Sequence, residues 1–350
     1  MTAARGPLVV SWIRYHGRSA DLARELGGDA AFIVAGERGR RWTVVWRYPL
    51  QAVRTVATLV RRRPAALIVM APPLPLVVIG AVWAKLTGRP FAVDAHTGAV
   101  LSPATGRLRR RFPAVARSAD VVIVTLPSLA ALLAGCRTLV LHDPAVELPD
   151  VPADTGRLPS TRHRAVFPAS WYADEPVDAV AEAARLVPEV EFVVTGRADR
   201  GLPALPNLTL TGFLPDERYA ALLAGADVVL ALTTREHTMQ RGGYEGLALG
   251  RALVVSDTAA LREWVDEAGP AVAPTGAGLA AGVRAVLADL PHWQERIVEL
   301  RRRRSAETAS GLAALRSVLG VEHGQQRREA SRPGEPLADE AVRPGGDPAP

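Results

Sequence analysis

Leu230–Glu263 reads LALTTREHTMQRGGYEGLALGRALVVSDTAALRE, and this stretch decides the fold. An apolar run, Val228 to Leu232, opens into a polar loop, Thr233 to Gln240. Arg241-Gly242-Gly243 then leads into a short helix containing Glu245. Leu247, Ala248 and Gly250 precede a second apolar run, Leu253 to Ser256, which ends at Asp257. Continuous rather than alternating hydrophobicity marks parallel strands buried on both faces, so the segment reads as a strand–loop–helix–strand step of an α/β fold. Its chemistry sits where the first strand meets the loop. Gly242 and Gly243 let a ligand approach exposed amides, and a helix N-terminus beside Arg241 favours a diphosphate. A carboxylate such as Glu245 accepts two hydrogen bonds from the vicinal hydroxyls of a ribose. In outline this is a nucleotide-sugar site.

The same alternation runs outward in both directions. Towards the N-terminus, strands are predicted at Val9 to Ile13, Ala31 to Val34, Ala66 to Met70, Phe91 to Asp94, Val121 to Thr125 and Thr138 to Leu141. Between them fall a helix capped by Ser19 and ending at Gly27-Gly28, one over Leu50 to Arg62, and one from Leu76. A polar, proline-containing stretch, Asp143 to Arg164, separates a second half. There, strands are predicted at Ala165 to Pro168, Glu191 to Thr195 and Leu208 to Thr211, ahead of the two already described. Helices are expected from a cap at Asp174-Glu175-Pro176 to Leu186, from Asp216, Tyr244, Ala259 and Gly278, and from His292 to Leu319. The prediction is two doubly wound, Rossmann-like domains, residues 1–150 and 160–320, facing a central cleft. Residues 321–350 carry almost no apolar anchors and are expected to be disordered.

Composition agrees with two cores. The chain has 350 residues, 48% hydrophobic and 22% charged, which excludes wholesale disorder. One cysteine, Cys136, excludes a disulfide framework or a multi-cysteine metal site and fits a reducing compartment. The formal charge of +6 is built almost wholly of arginine, since Lys85 is the only lysine. Such a skew reflects base composition as much as function, so no nucleic-acid partner is expected. Ala65 to Ala84 holds no charge across a length that would span a membrane. Pro72, Pro73 and Pro75 divide it, and it reads as strand, loop and helix instead. No secretory signal opens the chain, so a cytoplasmic protein is expected.

Other motifs narrow the chemistry. GxxxxGK[ST], GxGxxG, HExxH and GxSxG are all absent, and the seven histidines are scattered. No metal site and no cofactor is therefore expected. After the first strand come Arg14-Tyr15-His16-Gly17-Arg18; His16, Gly17 and Arg18 at a helix start suit an anion, with a solvated basic turn as the competing reading. Phe91 to Asp94 ends in Asp94-Ala95-His96-Thr97-Gly98, with carboxylate, imidazole and hydroxyl where a strand enters the cleft. Arg301 to Arg304 reads as the wet face of a helix.

YEGLALGRALVVSD resembles the segment of GT-B glycosyltransferases, family 4 in particular, that usually reads E-A-L-A-x-G-x-P-V-V-x-S-D. Thr211-Gly212-Phe213, a helix containing Tyr219 and the strand start at Ala226-Asp227 resemble a further run of that family. Val194-Thr195-Gly196 resembles its V-x-G strand end, and DAHTG a stretch lining the acceptor side. The resemblance implies a GT-B fold and transfer of a sugar from a nucleoside-diphosphate donor to a glycan or lipid-linked acceptor, with retention and without metal. It implies that Glu245 holds the ribose, that Arg241, Gly242 and Gly243 meet the diphosphate, and that Thr195 and Gly196 lie nearby. His96 and Asp94 would face the reacting sugar. Two departures stand out. The family's second glutamate falls at His237, beside Glu236, and its arginine–lysine pair is replaced by Phe167-Pro168-Ala169-Ser170-Trp171, leaving the diphosphate to Arg241, Arg197 or Arg200. An epimerase or hydrolase of the same fold, and a catalytically silent partner subunit, are the rival readings. The basic helix from Gln51 to Arg63 and the apolar helix at Leu76 would suit peripheral seating on an anionic inner leaflet.

Overall fold

The computed structural model describes residues 6–36, 43–101, 106–143, 146, 148–149, 162–198 and 200–321. These form two six-stranded sheets with every adjacent pair parallel. The first contains β1 (Leu8–Ser11), β2 (Asp29–Phe32), β3 (Leu67–Ala71), β4 (Phe91–Ala95), β5 (Val121–Val124) and β6 (Thr138–Val140), in the order β2-β1-β3-β4-β5-β6. The second contains β7 (Arg164–Phe167), β8 (Glu191–Thr195), β9 (Leu208–Gly212), β10 (Val228–Ala231), β11 (Ala252–Ser256) and β12 (Ala271–Val272), in the order β12-β11-β10-β7-β8-β9. Inner strands such as β3 (LIVMA) are buried along their whole length, while the edge strands β2 and β9 are partly exposed. That contrast is what a sheet covered on both faces requires. The order in which successive strands join the sheet reverses between β1 and β3, and again between β7 and β10, so a crevice is expected beyond the carboxyl ends of those four strands.

Six helices serve the first sheet: α1 (Gly17–Glu25), α2 (Val44–Arg62), α3 (Leu74–Thr87), α4 (Thr97–Leu101), α5 (Gly106–Ala116) and α6 (Pro127–Ala131). Six more follow: α7 (Val177–Leu186), α8 (Asp216–Ala224), α9 (Arg241–Ala248), α10 (Ala259–Val265), α11 (Gly276–Ala288) and α12 (Leu290–Leu319). The uncharged stretch at 65–84 is β3, a proline loop and α3, as its prolines imply. Among the described residues no helix is long and apolar enough to cross a membrane.

Several local expectations are corrected. Ser19 is not the cap of α1. His16 is, with its imidazole accepting from the Ser19 amide, and Ser19 lies buried against Ser11. Asp174 and Glu175 do not cap α7: Asp174 accepts from the Thr233 hydroxyl, and Glu175 from the amides of Ser170 and Tyr172. α2 begins at Val44 rather than Leu50 and carries Pro49 inside it. The proline forfeits only one early hydrogen bond there, which tertiary anchoring offsets. α4, α5, α6 and β12 have no counterpart in the sequence reading, because short or arginine-rich segments give no clear periodicity. The tail read as disordered lies outside the described residues from 322 onward.

α1 covers one face of the first sheet and α2, α3 and α5 the other. α12 serves both halves. Its Ile297 and Leu300 pack with Trp264 in the second half, whereas Leu312, Leu315 and Leu319 pack with Val9, Leu22 and Leu26 in the first. Gly311 makes the return possible, since a Cβ there would meet the Leu141 side chain at 2.8 Å. Each leucine so buried contributes about 1.5–3 kcal/mol relative to exposure.

Candidate functional site

A cleft of about 950 Å³ opens between the two sheets, at the carboxyl ends the strand orders point to. His16, Gly17, Arg18 and His96 line one wall; Tyr219, Arg241, Tyr244 and Glu245 line the other.

The first wall is set by α1 and the end of β4. Arg18 is almost fully buried, and its Nε donates to both Asp94 oxygens at 3.1 and 3.2 Å. Its Nη1 donates to Asp143 at 2.9 Å and its Nη2 to the Leu141 carbonyl at 2.9 Å. Burial opposes the Arg18 charge, but Asp94 and then Asp143 outweigh it, so the guanidinium stays protonated. Asp94 is likewise held ionised: burial would raise its pKa, but Arg18, then His96, drives it well below the usual carboxylate range. Asp94 therefore lies beneath the cleft rather than in it. It orients His96, whose Nε2 sits 3.2 Å from Asp94 Oδ2. In the neutral ring, Nε2–H directed at a carboxylate leaves Nδ1 of His96 as an acceptor. The rings of His16 and His96 meet edge to face at 4.8 Å.

The opposite wall is set by α9. Glu245 projects from its second turn, accepts from the Tyr219 hydroxyl and is almost buried. Burial raises its pKa, offset in part by Tyr219 and then Arg241. Arg241, the first residue of α9, bridges the halves. Its Nη1 reaches Asp21 of α1 at 3.0 Å and Asp143 at 3.3 Å, and its Nε lies 3.4 Å from Glu245. Gly17 leaves room for this guanidinium, because a Cβ there would come within 3.1 Å of its Cζ. Arg18 and Arg241 thus share four carboxylates, Asp21, Asp94, Asp143 and Glu245, and Arg24 joins them at Asp21 (3.1 Å).

The remaining sequence candidates have other neighbours. Gly242 and Gly243 serve packing: a Cβ on Gly242 would meet Pro168 at 2.8 Å, and one on Gly243 would meet Ala231 and Trp264. Glu236 turns from the cleft and accepts from the Ala259 amide at the start of α10 (3.1 Å). His237, in the left-handed region at φ 55°, is an inter-half strut. Its carbonyl accepts from Thr97 at 2.5 Å and its Nδ1 pairs with Ser128 at 2.8 Å. Thr195 is buried and accepts from the Ala169 amide, and Gly196, at φ 84°, leaves β8. Arg197 is exposed, while Arg200 pairs with Asp178 and lies over Trp171. Asp21, Asp143 and Ser128 are neighbours of the candidate residues that sequence alone does not single out. The partners that tie them to Arg241 and His237 lie 98 to 220 positions away, so no local pattern links them.

Behind the cleft, His142 Nδ1 meets the Tyr244 hydroxyl at 3.2 Å. Burial, then His96, pushes His16 down to about 4. Burial, then Arg304, pushes His142 down to about 4 as well. In the unfolded chain both titrate near 6.5. As pH falls below 6.5 the unfolded chain takes up protons first, so stability present above that pH is lost progressively towards pH 4. Each ring accounts for up to about 3 kcal/mol. Urea midpoints should fall steadily from pH 7.5 to pH 4.5, and His142→Phe should flatten about half of the slope. A flat profile across that window would contradict the burial argument.

Residues 162–289 match the family model described as Glycosyl transferases group 1. The GDP-mannose-dependent alpha-(1-6)-phosphatidylinositol dimannoside mannosyltransferase of Mycobacterium tuberculosis is 33% identical over 158 residues, 43% of this chain and 40% of that protein. The match thus spans well under half of the relative's length. Among solved structures, sucrose-phosphate synthase from Thermosynechococcus elongatus superposes with a TM-score of 0.67 at 15% identity, over 93% of this chain and 99% of that one. The Anabaena protein Alr3699/HepE in complex with UDP-glucose gives 0.64 at 14% identity, over 93% and 99%. The fold is the two-domain, Rossmann-like α/β arrangement of GT-B proteins, and the chain resembles GT-B glycosyltransferases of family 4.

Proposed function

We propose that the protein is a glycosyltransferase, moving a sugar from a nucleoside-diphosphate donor to a glycan or lipid-linked acceptor. The observation that carries this reading is Glu245, held by Tyr219 and Arg241 on one wall of the cleft and facing the His16–His96 pair on the other. Glu245 would accept the two ribose hydroxyls. The diphosphate would lie at the start of α9, where Arg241 exchanges Asp21 and Asp143 for phosphate oxygens and stabilises the leaving group. His96, oriented by Asp94, would accept a hydroxyl of the transferred sugar at Nδ1. Transfer with retention, without metal or cofactor beyond the donor, follows from the family resemblance. The first half would serve the acceptor and the second the donor, in a cytoplasmic or peripheral inner-membrane enzyme.

The M. tuberculosis relative, named for GDP-mannose, matches over part of its length, so GDP-mannose heads the donor panel, with UDP-glucose second. At a hundredfold excess over Kd a true donor stabilises the fold by about 2.7 kcal/mol, a rise of several degrees in Tm. A bound donor incubated with lipid extract should then yield a glycosylated product by mass spectrometry. No shift with any nucleotide sugar would overturn the proposal. Turnover of the donor without acceptor would replace it with a hydrolase or epimerase.

A further inference from the structure

Helix α2 turns polar residues inward and valines outward. Arg47, Gln51 and Thr55 are buried, with Arg47 donating to the Ala35 carbonyl (2.7 Å), Gln51 to the Ile33 carbonyl (2.8 Å) and Trp12 Nε1 to Thr55 (2.9 Å). The outer stripe is Val45, Trp46, Leu50, Val53, Val56 and Val60, with Val45, Val53 and Val60 exposed at 79%, 66% and 64%. A helix facing water carries the opposite pattern. α3 lies alongside and adds Val78, Val82 and Leu86, the last 80% exposed. Between the two helices runs an apolar groove of about 640 Å³, edged by Arg63 and Arg89.

Charge identifies what covers this face. Neither α2 (VVWRYPLQAVRTVATLVRR) nor α3 (LPLVVIGAVWAKLT) contains a carboxylate. Arg54, Arg61, Arg63 and Lys85 are exposed around the stripe. Asp29, paired with Arg62 at 3.4 Å, is the acidic neighbour on the adjoining strand. A second copy would set cation against cation across a two-fold axis. An apolar stripe with a basic surround fits an acyl boundary beneath anionic headgroups.

We propose that the outer face of α2 and α3 docks in the headgroup region of an anionic lipid bilayer. Helices in such crossovers run antiparallel to their strands, so the Val45–Trp46 end of α2 lies at the cleft end of the first sheet. Docking this way brings the cleft mouth to the lipid surface. This deepens the glycosyltransferase reading by favouring a lipid-linked acceptor, yet the surface stands whatever the donor proves to be.

The full chain should co-sediment with phosphatidylcholine–phosphatidylglycerol vesicles at low salt and remain in the supernatant with phosphatidylcholine alone. Val45→Glu, Val53→Glu and Val60→Glu together should cut the partition coefficient about tenfold or more. Arg61→Gln, Arg63→Gln and Lys85→Gln should reduce it by a similar factor at low salt. All six side chains are exposed, so thermal melts of both variants should match the wild type. Absence of wild-type binding to anionic vesicles, equal binding by the glutamate variant, or a wild-type dimer that this variant dissolves would each overturn the proposal. Donor-induced thermal shifts, measured without vesicles, test the glycosyltransferase reading separately.

Discussion

Arg18→Met should lower the free energy of unfolding by about 3–5 kcal/mol, the largest stability effect expected of any single change at the site. Arg18 and Asp94 are 3% and 1% exposed, so neither charge can turn to water when its partner is lost. Methionine fills much of the volume but leaves Asp94 with His96 as its remaining side-chain partner, Asp143 with Arg241 alone of its two arginines, and the Leu141 carbonyl without its arginine donor. Arg18→Lys should recover only part of the loss, because one ammonium cannot span three separate acceptors. Removing both charges with Arg18→Met and Asp94→Leu should be milder than Arg18→Met alone, since an apolar pair leaves no orphaned ion. The pH dependence supplies a second readout. A depressed Asp94 pKa contributes stability present above the ordinary carboxylate range and lost as pH falls below it, and this component should vanish in Arg18→Met. Urea unfolding at pH 7.5 that shifts by less than about 1 kcal/mol would show that the network is not what holds the first wall.

Glu245→Ala should weaken nucleotide-sugar affinity about a hundredfold, with much of the loss appearing as a raised KM for the donor. Two hydrogen bonds from ribose hydroxyls to a carboxylate are worth about 1.5–3 kcal/mol each. Glu245→Gln keeps the shape but not the charge, so a loss of about tenfold is expected. A purely structural role is separable, because Arg241 retains Asp21 and Asp143 when Glu245 is gone. Melting temperature should therefore change little while affinity collapses. Calorimetric titration giving unchanged affinity would place the ribose elsewhere.

The strands were legible because burial on both faces writes itself as unbroken runs such as LIVMA and ALVVS, and their order along the chain requires two crossover sheets. Caps were less so. Ser19 and Asp174 carry the right chemistry for helix starts, but buried hydroxyl and carboxylate partners compete for them. At the site, Glu245 and His96 were recognisable from their places at strand and helix ends. Arg241 was recognisable as a cation, but not its tether to Asp21, which lies 220 positions away. Likewise nothing near His237 announces Thr97 or Ser128, the partners that make it a strut between halves. α2 misleads for another reason: periodicity reports an amphipathic helix without saying which side meets the core.

The path of α12 limits how this architecture can be recombined. Because its first turns complete one half and its last turns complete the other, the two lobes are not beads that part at a single cut in the linker. A chimera grafting a foreign second half onto this first half needs two junctions, one before β7 and one within α12 ahead of Gly311. With only the first, the graft arrives with a foreign final helix, and Leu22 and Leu26 lose the leucines shaped to meet them. The unit of exchange is an insertion, not a terminal module.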